Sequence, residues 1–371
     1  RRIMTTQNTI DKKWMSVALS LAKRTKGATW PNPNVGCVIV KDDKLIGRGW
    51  TAPTGRPHAE TQALKSAGAA SANSTAYVTL EPCAHTGKTK PCTSSLIKAN
   101  VARVVIATRD PDPRVSGQGL KLLKNAGISI TEGILKDEAC YEHFGFFNRI
   151  LNGKPKITLK LATSLDGKIA TKNNESKWIT GERSRKLTHL YRMQSDAVMI
   201  GSRTAIMDDP SLNVRHITTK QQPAKIIIDT TLKTPLTSKI FQSANEFKTI
   251  ICCGHNVDQS LVSIWINQGS KIIKCKTNMD GKIDLIDAMK HLGTIGINNI
   301  FCEGGASLAT SLLKADLIDE FISMTSGLLI GANGRSVVGN FDNLSISKLP
   351  ILKLRESYKH GQDVVSIWSK S

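Results

Sequence analysis

Across 371 residues, strand-like apolar runs and amphipathic helical stretches take turns, and one Asn-Gly-Lys-Pro break at residues 152–155 divides the alternation. A chain patterned this way must gather its strands into a sheet, because each intervening helix buries its apolar stripe against the pleated face beside it. Before the break, DKKWMSVALSLAKR puts Trp14, Val17, Ala18, Leu21 and Ala22 at helical spacing, with Asp11 as the expected cap. VGCVIVKD and KLIGRGW read as two strands about a turn at Asp43. HAETQALKSAGAA follows as a helix, AYVTLEP as a strand and CTSSLIKAN as a helix. RVVIATRD, GLKLLKNAG and ISITEG then give strand, helix, strand, and EACYEHFGFFNRIL reads as one closing helix. The expected fold class is α/β, a mixed sheet with helices on both faces. After the break, DAVMIG, AKIIID, KTIICCG, KIIKC, NNIFCEG, DEFISMT and VVSIW are the clearest strands of a second α/β domain. The expected domains are 1–152 and 153–371, with no repeat between them.

The chain has eight cysteines, no charged-apolar-small leader at its start and no apolar run long enough to span a bilayer. Reduced thiols and a cytoplasmic location are therefore expected. Arg1, Arg2 and Ile3 precede Met4 and read as an addition to the native start. Cys37, Cys252, Cys253, Cys275 and Cys302 lie in or beside apolar runs and read as buried structural residues.

Cys83 and Cys92 are different. Each follows a proline, both lie in PCAHTGKTKPC, and His58-Ala59-Glu60 stands upstream. A catalytic zinc takes three protein ligands and keeps a fourth position for water, and one imidazole with two thiolates suits it. His58, Cys83 and Cys92 are the expected zinc ligands. Glu60, two residues beyond His58 on a helix, points to another side. It is the expected catalytic residue, taking a proton from activated water and passing it to a leaving amine. A Cys83–Cys92 disulfide is the competing reading, disfavoured by compartment. The GKT triplet is not a phosphate loop, because Pro82 stands where that motif needs glycine. What remains is a loop carrying His85 and Lys88 over the metal. Lys88 suits a phosphate or a carbonyl; the plainer reading is a solvated lysine.

A net charge of +21 suits a phosphorylated substrate and an anionic cofactor, or else a nucleic acid. The lysines are scattered and aromatic residues make up only 5%, too few for a stacking platform, so nucleic acid ranks second. The second half has no G-x-G-x-x-G. Gly304-Gly305-Ala306-Ser307 follows a strand and opens a helix, which reads equally as a pyrophosphate cradle or as a tight turn.

His58-Ala59-Glu60 with Pro82-Cys83 resembles the cytidine-deaminase superfamily, whose second element is usually Pro-Cys-x-x-Cys. Here eight residues, not two, separate Cys83 from Cys92. The longer TLEPCAHTGKTKPC, with Pro31-Asn32-Pro33-Asn34-Val35-Gly36 and Arg109-Asp110-Pro111, looks like the bacterial bifunctional deaminase–reductases of riboflavin biosynthesis. KLATSLDGK, ESKWITG, DDPSLNVR and EGGASL resemble that family's reductase domain, so the resemblance spans nearly the whole chain.

The resemblance implies an N-terminal cytidine-deaminase-like three-layer α/β/α domain and a C-terminal dihydrofolate-reductase-like α/β domain. It implies zinc in the first and NADPH in the second. The implied reactions are hydrolytic deamination of 2,5-diamino-6-ribosylamino-4(3H)-pyrimidinone 5′-phosphate, then reduction of the ribosyl chain of 5-amino-6-(5-phosphoribosylamino)uracil to ribityl. The expected partners are these small phosphorylated pyrimidines, with neither nucleic acid nor membrane, and a homo-oligomer, dimer or tetramer. Base deamination in RNA, with the basic second half as a binding module, is the alternative.

By resemblance Asn32, His85 and Lys88 would contact the pyrimidine or its phosphoribosyl group. Ala162, Trp178, Thr204, Asp208, Thr230, Gly305, Ala306, Ser307, Leu308, Ala309, Thr310 and Ser311 would line the NADPH site. Ser176, Arg192, Leu212, Arg215 and Glu303 would hold the reductase substrate. Arg192 and Arg215 suit forks for a ribose phosphate, although arginines on a helix such as RKLTHLYRM are usually solvated. Two positions depart from the family pattern: Thr51, where a histidine is frequent, and Asn213, in place of a common threonine.

Overall fold

The first unit of the computed structural model, Arg1–Gly153, is organised by strand β1 (Gly36–Lys41), which buries side chains on both of its faces. The residues described are 6–85, 90–219, 221–341 and 345–370. Successive strand residues point to opposite faces, so Cys37 and Ile39 enter one core layer while Val38 and Val40 enter the other. Strands β2 (Lys44–Trp50), β3 (Thr75–Val78), β4 (Arg103–Ile106) and β5 (Ser129–Glu132) complete a sheet of order β2-β1-β3-β4-β5. The pairs β2/β1 and β1/β3 are antiparallel, and β3, β4 and β5 run parallel.

Helices α1 (Gln7–Ala22), α2 (Ala59–Ala67), α3 (Cys92–Lys98), α4 (Gln118–Asn125), α5 (Lys136–Glu142) and α6 (Phe144–Asn152) cover this sheet. Ala59, Ala63, Leu96, Leu120 and Leu123 line one layer, and Trp14, Met15, Ala18 and Ala139 the other. Helix α2 lies directly on β2. A Cβ on Gly49 would come within 2.2 Å of the Ala59 carbonyl, and one on Gly47 within 2.3 Å of that of Ala63, so this close approach requires glycine.

Two sequence expectations are corrected here. Thr6, not Asp11, caps α1, its hydroxyl accepting from the Thr9 N–H at 3.4 Å. Asp11 is instead buried inside the helix, paired with Arg103 at 2.6 Å and bonded to the Tyr77 hydroxyl at 2.9 Å. The closing helix is two helices broken at His143, whose ring is buried and bonded to Thr79 Oγ1 at 3.2 Å.

In the second unit, Lys154–Ser371, the strands are β6 (Lys156–Thr163), β7 (Lys168–Ala170), β8 (Ala197–Gly201), β9 (Ala224–Ile228), β10 (Thr249–Gly254) and β11 (Lys271–Cys275). After them come β12 (Asn299–Cys302), β13 (Glu320–Thr325), β14 (Arg335–Ser336), β15 (Lys353–His360) and β16 (Asp363–Ser369). Nine form one sheet in the order β11-β10-β9-β8-β12-β6-β13-β16-β15. Its first seven strands are parallel, and β16 and β15 add an antiparallel edge. The apolar runs AVMIG and TIICCG supply the most buried strands, as a sheet covered on both sides demands.

Its helices are α7 (Glu182–Met193), α8 (Ser202–Asp208), α9 (Lys239–Gln242), α10 (Gln259–Asn267), α11 (Leu285–Thr294) and α12 (Ala306–Lys314). The Asp363 carboxylate accepts from the Gly181 N–H at 2.8 Å and the Ser184 hydroxyl at 2.5 Å, which fixes the start of α7 to β16.

Candidate active sites

In the first unit the chemistry collects where α2 and α3 begin. His58 is the residue before α2, and Cys92 is the first residue of α3. Cys83 lies in the loop after β3, its carbonyl accepting from both the N–H and the hydroxyl of Thr93, at 3.3 and 3.2 Å. These elements bring His58 Nδ1 to 3.3 Å from Cys92 Sγ and 3.7 Å from Cys83 Sγ. The three donor atoms lie within 4.8 Å of one another, and among the described residues they are the one such His/Cys/Asp/Glu group. Tetrahedral zinc with ordinary Zn–N and Zn–S bonds needs donors about 3.6–3.8 Å apart, so both the donor set and its spacing fit that ion.

The hydrogen bond from Cys92 and the nearby His58 draw Cys83 down to about 4, against its burial. The bond to Cys83, together with burial, pushes Cys92 well above the ordinary thiol range. The Cys92 N–H also donates to Cys83 Sγ, at 3.3 Å. Glu60, in the first turn of α2, is buried; burial first and the Cys83 charge second raise its carboxyl to about 6.

Asn32 donates its side-chain N–H to the Gly55 carbonyl at 3.3 Å. Gly55, with φ of +88°, could carry no Cβ there, because Asn32 Nδ2 would be 2.0 Å away. His85 is exposed in the loop beyond Cys83, and Lys88 lies outside the described residues. Thr51 is buried in a backbone role. Its hydroxyl accepts from the Val35 N–H at 2.9 Å and its carbonyl accepts from the Thr25 hydroxyl at 2.7 Å. A residue that sequence reasoning left out of the site is Asp110. Burial raises its carboxyl above the ordinary range, against the Asp112 N–H that it accepts and, least, the neighbouring His85. The buried carboxylate of Glu81 ties down its loop, accepting from the N–H groups of Asp110, Gly117 and Gly119 at 3.2, 2.9 and 3.0 Å. The Arg-Asp-Pro motif was visible in the sequence, but its attachment to the metal loop was not.

In the second unit the candidates gather at the carboxyl ends of parallel strands, where open α/β sheets take ligands. Ala162 is near the end of β6, Thr230 follows β9, and Glu303 and Gly305 follow β12. Gly305 precedes α12 without a capping side chain, so the first turn of that helix keeps N–H groups for an anion, which fits a pyrophosphate-bearing cofactor. Thr204 Oγ1 accepts from the Gly305 N–H at 3.3 Å. Ser307 is exposed and Ala306 and Ser311 half-buried, whereas Leu308, Ala309 and Thr310 turn into the core. Thr230 Oγ1 accepts from the Ile283 N–H at 3.4 Å. Asp208 ends α8, its carboxyl raised by burial against the pull of Lys177.

Trp178 is exposed with the Arg185 guanidinium 4.5 Å from its ring centre, and Ser176 is half-buried just before it. Leu212 is buried and Arg215 exposed. Arg192 is not solvated. It forms a two-pronged pair with Glu303, Nε to Oε1 at 2.5 Å and Nη2 to Oε2 at 3.0 Å, and Nη1 donates to the Asn213 carbonyl at 2.9 Å. Burial works against the Glu303 carboxylate, but Arg192 holds it below its ordinary range. Lys160, two residues before Ala162 and so on the same face of β6, was missed from sequence. Burial lowers its ammonium while Glu303 counteracts and Arg192 reinforces.

Comparison with known proteins follows this division. Residues 8–108 match the family model of the cytidine and deoxycytidylate deaminase zinc-binding region, and residues 155–366 that of the RibD C-terminal domain. The chain is 39% identical over 350 residues to riboflavin biosynthesis protein RibD of Aquifex aeolicus, covering 94% of this chain and 93% of that one. To the RibD of Escherichia coli it is 38% identical over 363 residues, covering 95% and 98%. A solved structure of Acinetobacter baumannii RibD superposes with a TM-score of 0.88 at 37% identity, over 99% of this chain and all of the other. The Thermotoga maritima diaminohydroxyphosphoribosylaminopyrimidine deaminase/5-amino-6-(5-phosphoribosylamino)uracil reductase gives a TM-score of 0.83 at 29% identity, with coverage of 99% and 100%.

Proposed function

The chain belongs to the RibD family of riboflavin biosynthesis proteins, and on that footing we propose how its residues divide the work. It is a bifunctional enzyme, a zinc-dependent deaminase joined to an NADPH-dependent reductase. We assign to the first unit the hydrolytic removal of an amine from the diaminopyrimidinone ribosyl phosphate. To the second we assign reduction of the resulting aminouracil's ribosyl chain to ribityl. The observation that carries the reading is the convergence of His58, Cys83 and Cys92 within 4.8 Å beside a buried Glu60.

Bound zinc supplies a Lewis acid and an activated water where His58 Nδ1, Cys83 Sγ and Cys92 Sγ converge. Glu60 takes the water's proton on a carboxylate oxygen and delivers it to the leaving amine. Its burial keeps bulk water from competing for that proton. Asn32, His85 and Lys88 would orient the pyrimidine and its phosphoribosyl group.

Bound NADPH supplies the hydride in the second unit. The uncapped start of α12 at Gly305 to Ser307 would hold its phosphates, with Ala162, Trp178, Thr204, Asp208 and Thr230 around it and Leu308 to Ser311 setting the helix. Ser176, Leu212 and Arg215 would hold the substrate beside the Arg192–Glu303 pair. Deamination of RNA bases is not favoured, because a reductase-family match occupies residues 155–366.

We place the enzyme in the cytoplasm. Eight unpaired thiols support this, and among the described residues no helix is long and apolar enough to cross a membrane. A dimer or tetramer is the expected assembly, supported by the exposed edge strand β15 with Leu354 on it. The function is tested by giving the full chain the diaminopyrimidinone phosphate with NADPH. Ammonia release followed by NADPH consumption is expected. NADPH left unconsumed when the aminouracil is supplied directly would remove the reductase assignment.

A further inference from the structure

Helix α7 places Arg185, His189 and Arg192 on one face, at steps of four and three residues. All three reach the backbone of loops that carry candidate site residues. Arg185 Nη1 donates to the Thr180 carbonyl at 2.7 Å while its guanidinium covers Trp178. Arg192 Nη1 holds the Asn213 carbonyl at 2.9 Å. His189 Nδ1 accepts from the backbone N–H of Arg215 at 3.1 Å.

Residues 213–215 belong to no helix or strand, so their backbone groups must find partners elsewhere. Side chains supply them. Besides Arg192 at Asn213 and His189 at Arg215, Gln222 clamps Val214 from both sides. Its Oε1 accepts from the Val214 N–H at 2.7 Å and its Nε2 donates to the Val214 carbonyl at 3.2 Å. The segment is therefore immobilised residue by residue, and it ends on Arg215, whose own side chain is exposed. Ordering a main chain so that a cation is already aimed removes entropy that binding would otherwise cost.

We propose that His189 is a positioning residue of the reductase site: it fixes the main chain at Arg215 so that the guanidinium is presented to the anionic end of the substrate. The inference rests on the assignment of Arg215 as a substrate contact. His189 is buried, and its ring lies edge-on to His216 at a centroid distance of 5.6 Å. Accepting at Nδ1 requires a neutral imidazole with its proton on Nε2. Burial first, then the charges of Arg192 and Arg215, keep the ring neutral by drawing it down to about 4, with Glu303 opposing and His216 adding slightly.

The test uses the full chain, supplied with the aminouracil ribosyl phosphate and NADPH, and reads KM for each. His189→Phe keeps a ring and removes the acceptor; His189→Asn returns a carbonyl oxygen close to the place of Nδ1. The Phe variant is expected to raise the KM for the pyrimidine about tenfold, the cost of stranding one backbone donor. The KM for NADPH should stay within about twofold, and the Asn variant should recover most of the loss. If the Phe variant does not fold, His189→Leu provides the same comparison. Equal rises in both KM values, or no rise in either, would overturn the proposal, as would an Asn variant no better than Phe. Arg215→Gln is measured alongside. If it leaves the KM for the pyrimidine unchanged, the substrate assignment of Arg215 falls and the inference falls with it. If it raises that KM while His189→Phe does not, only the role of His189 is lost.

Discussion

The two sites are built in opposite ways. The proposed deaminase centre draws its three candidate ligands and its candidate acid/base from residues 58–92, on the starts of two short helices and the loop before the second. Among the described residues the proposed reductase site has no comparable cluster. Its proposed centre is the Arg192–Glu303 pair, 111 residues apart in sequence, and its other candidates include residues at the ends of separate strands. The contrast follows from the chemistry. A metal fixes ligand identity and distance to within tenths of an ångström, so the site must be compact and residue-specific. A cofactor that brings its own reactivity needs only positioning, which backbone groups and dispersed side chains supply.

The comparison can be broken most severely at a ligand. Cys92→Ser should empty the first site of zinc and lower ammonia release by about a thousandfold or more, several kcal/mol of lost Lewis-acid stabilisation. NADPH oxidation on supplied aminouracil should be unchanged. Metal analysis by mass spectrometry and the two assays check this together, and unchanged zinc content would remove Cys92 from the ligand set.

The corresponding break in the second unit is Arg192→Leu, which strands the Glu303 carboxylate among buried groups. Removing one partner of such a pair costs about 3–5 kcal/mol. Reductase activity should be lost, and calorimetry should show one unfolding transition lowered by about 10 °C with the other in place. A Tm unchanged in both transitions would mean that the pair contributes little.

A smaller effect tests the first unit through its pH dependence. Burial draws His143, in the first unit, down to about 4 from an ordinary 6.5. Above pH 6.5 the ring is neutral whether folded or not, and it contributes nothing to pH dependence. As pH falls from 6.5 to 4 the unfolded chain takes up a proton that the folded chain refuses, so stability is lost across that window, by at most about 3 kcal/mol. In His143→Gln the denaturation midpoint of the first unit should fall less steeply over the same range, with the second unit unaffected. Identical slopes would assign the acid sensitivity to other groups.

How much of this was legible follows from the range of each interaction. The clustering of His58, Cys83 and Cys92 beside Glu60 could be anticipated from the sequence because metal chemistry demands rare residue types at close spacing. Most sheet strands were visible because burial on one or both faces leaves apolar runs or alternation. Strand β15, KLRESYKH, was not, since its residues are mostly exposed and leave no pattern. The role of Asp11 was misjudged because its partner, Arg103, is 92 residues away and nothing local distinguishes a capping aspartate from a buried one. The split at His143 was hidden for the same reason, since Thr79, just after β3, is 64 residues distant. Arg192 was expected to hold the substrate's phosphate, with a solvated helix arginine as the plainer alternative, and nothing local showed that its guanidinium pairs with Glu303. His189 gave no signal at all, because its partner is a backbone N–H.

The central claim is that one chain carries two chemically independent sites, the first dependent on a single carboxylate. Glu60→Gln keeps the shape of the side chain and removes its capacity to carry the proton. In one preparation of this variant, zinc content, ammonia release from the diaminopyrimidinone phosphate and NADPH oxidation on supplied aminouracil are measured together. Full zinc, ammonia release lowered by a factor of about a hundred to ten thousand and unchanged NADPH oxidation are expected. Ammonia release close to that of the unaltered enzyme, with zinc in place, would contradict the account.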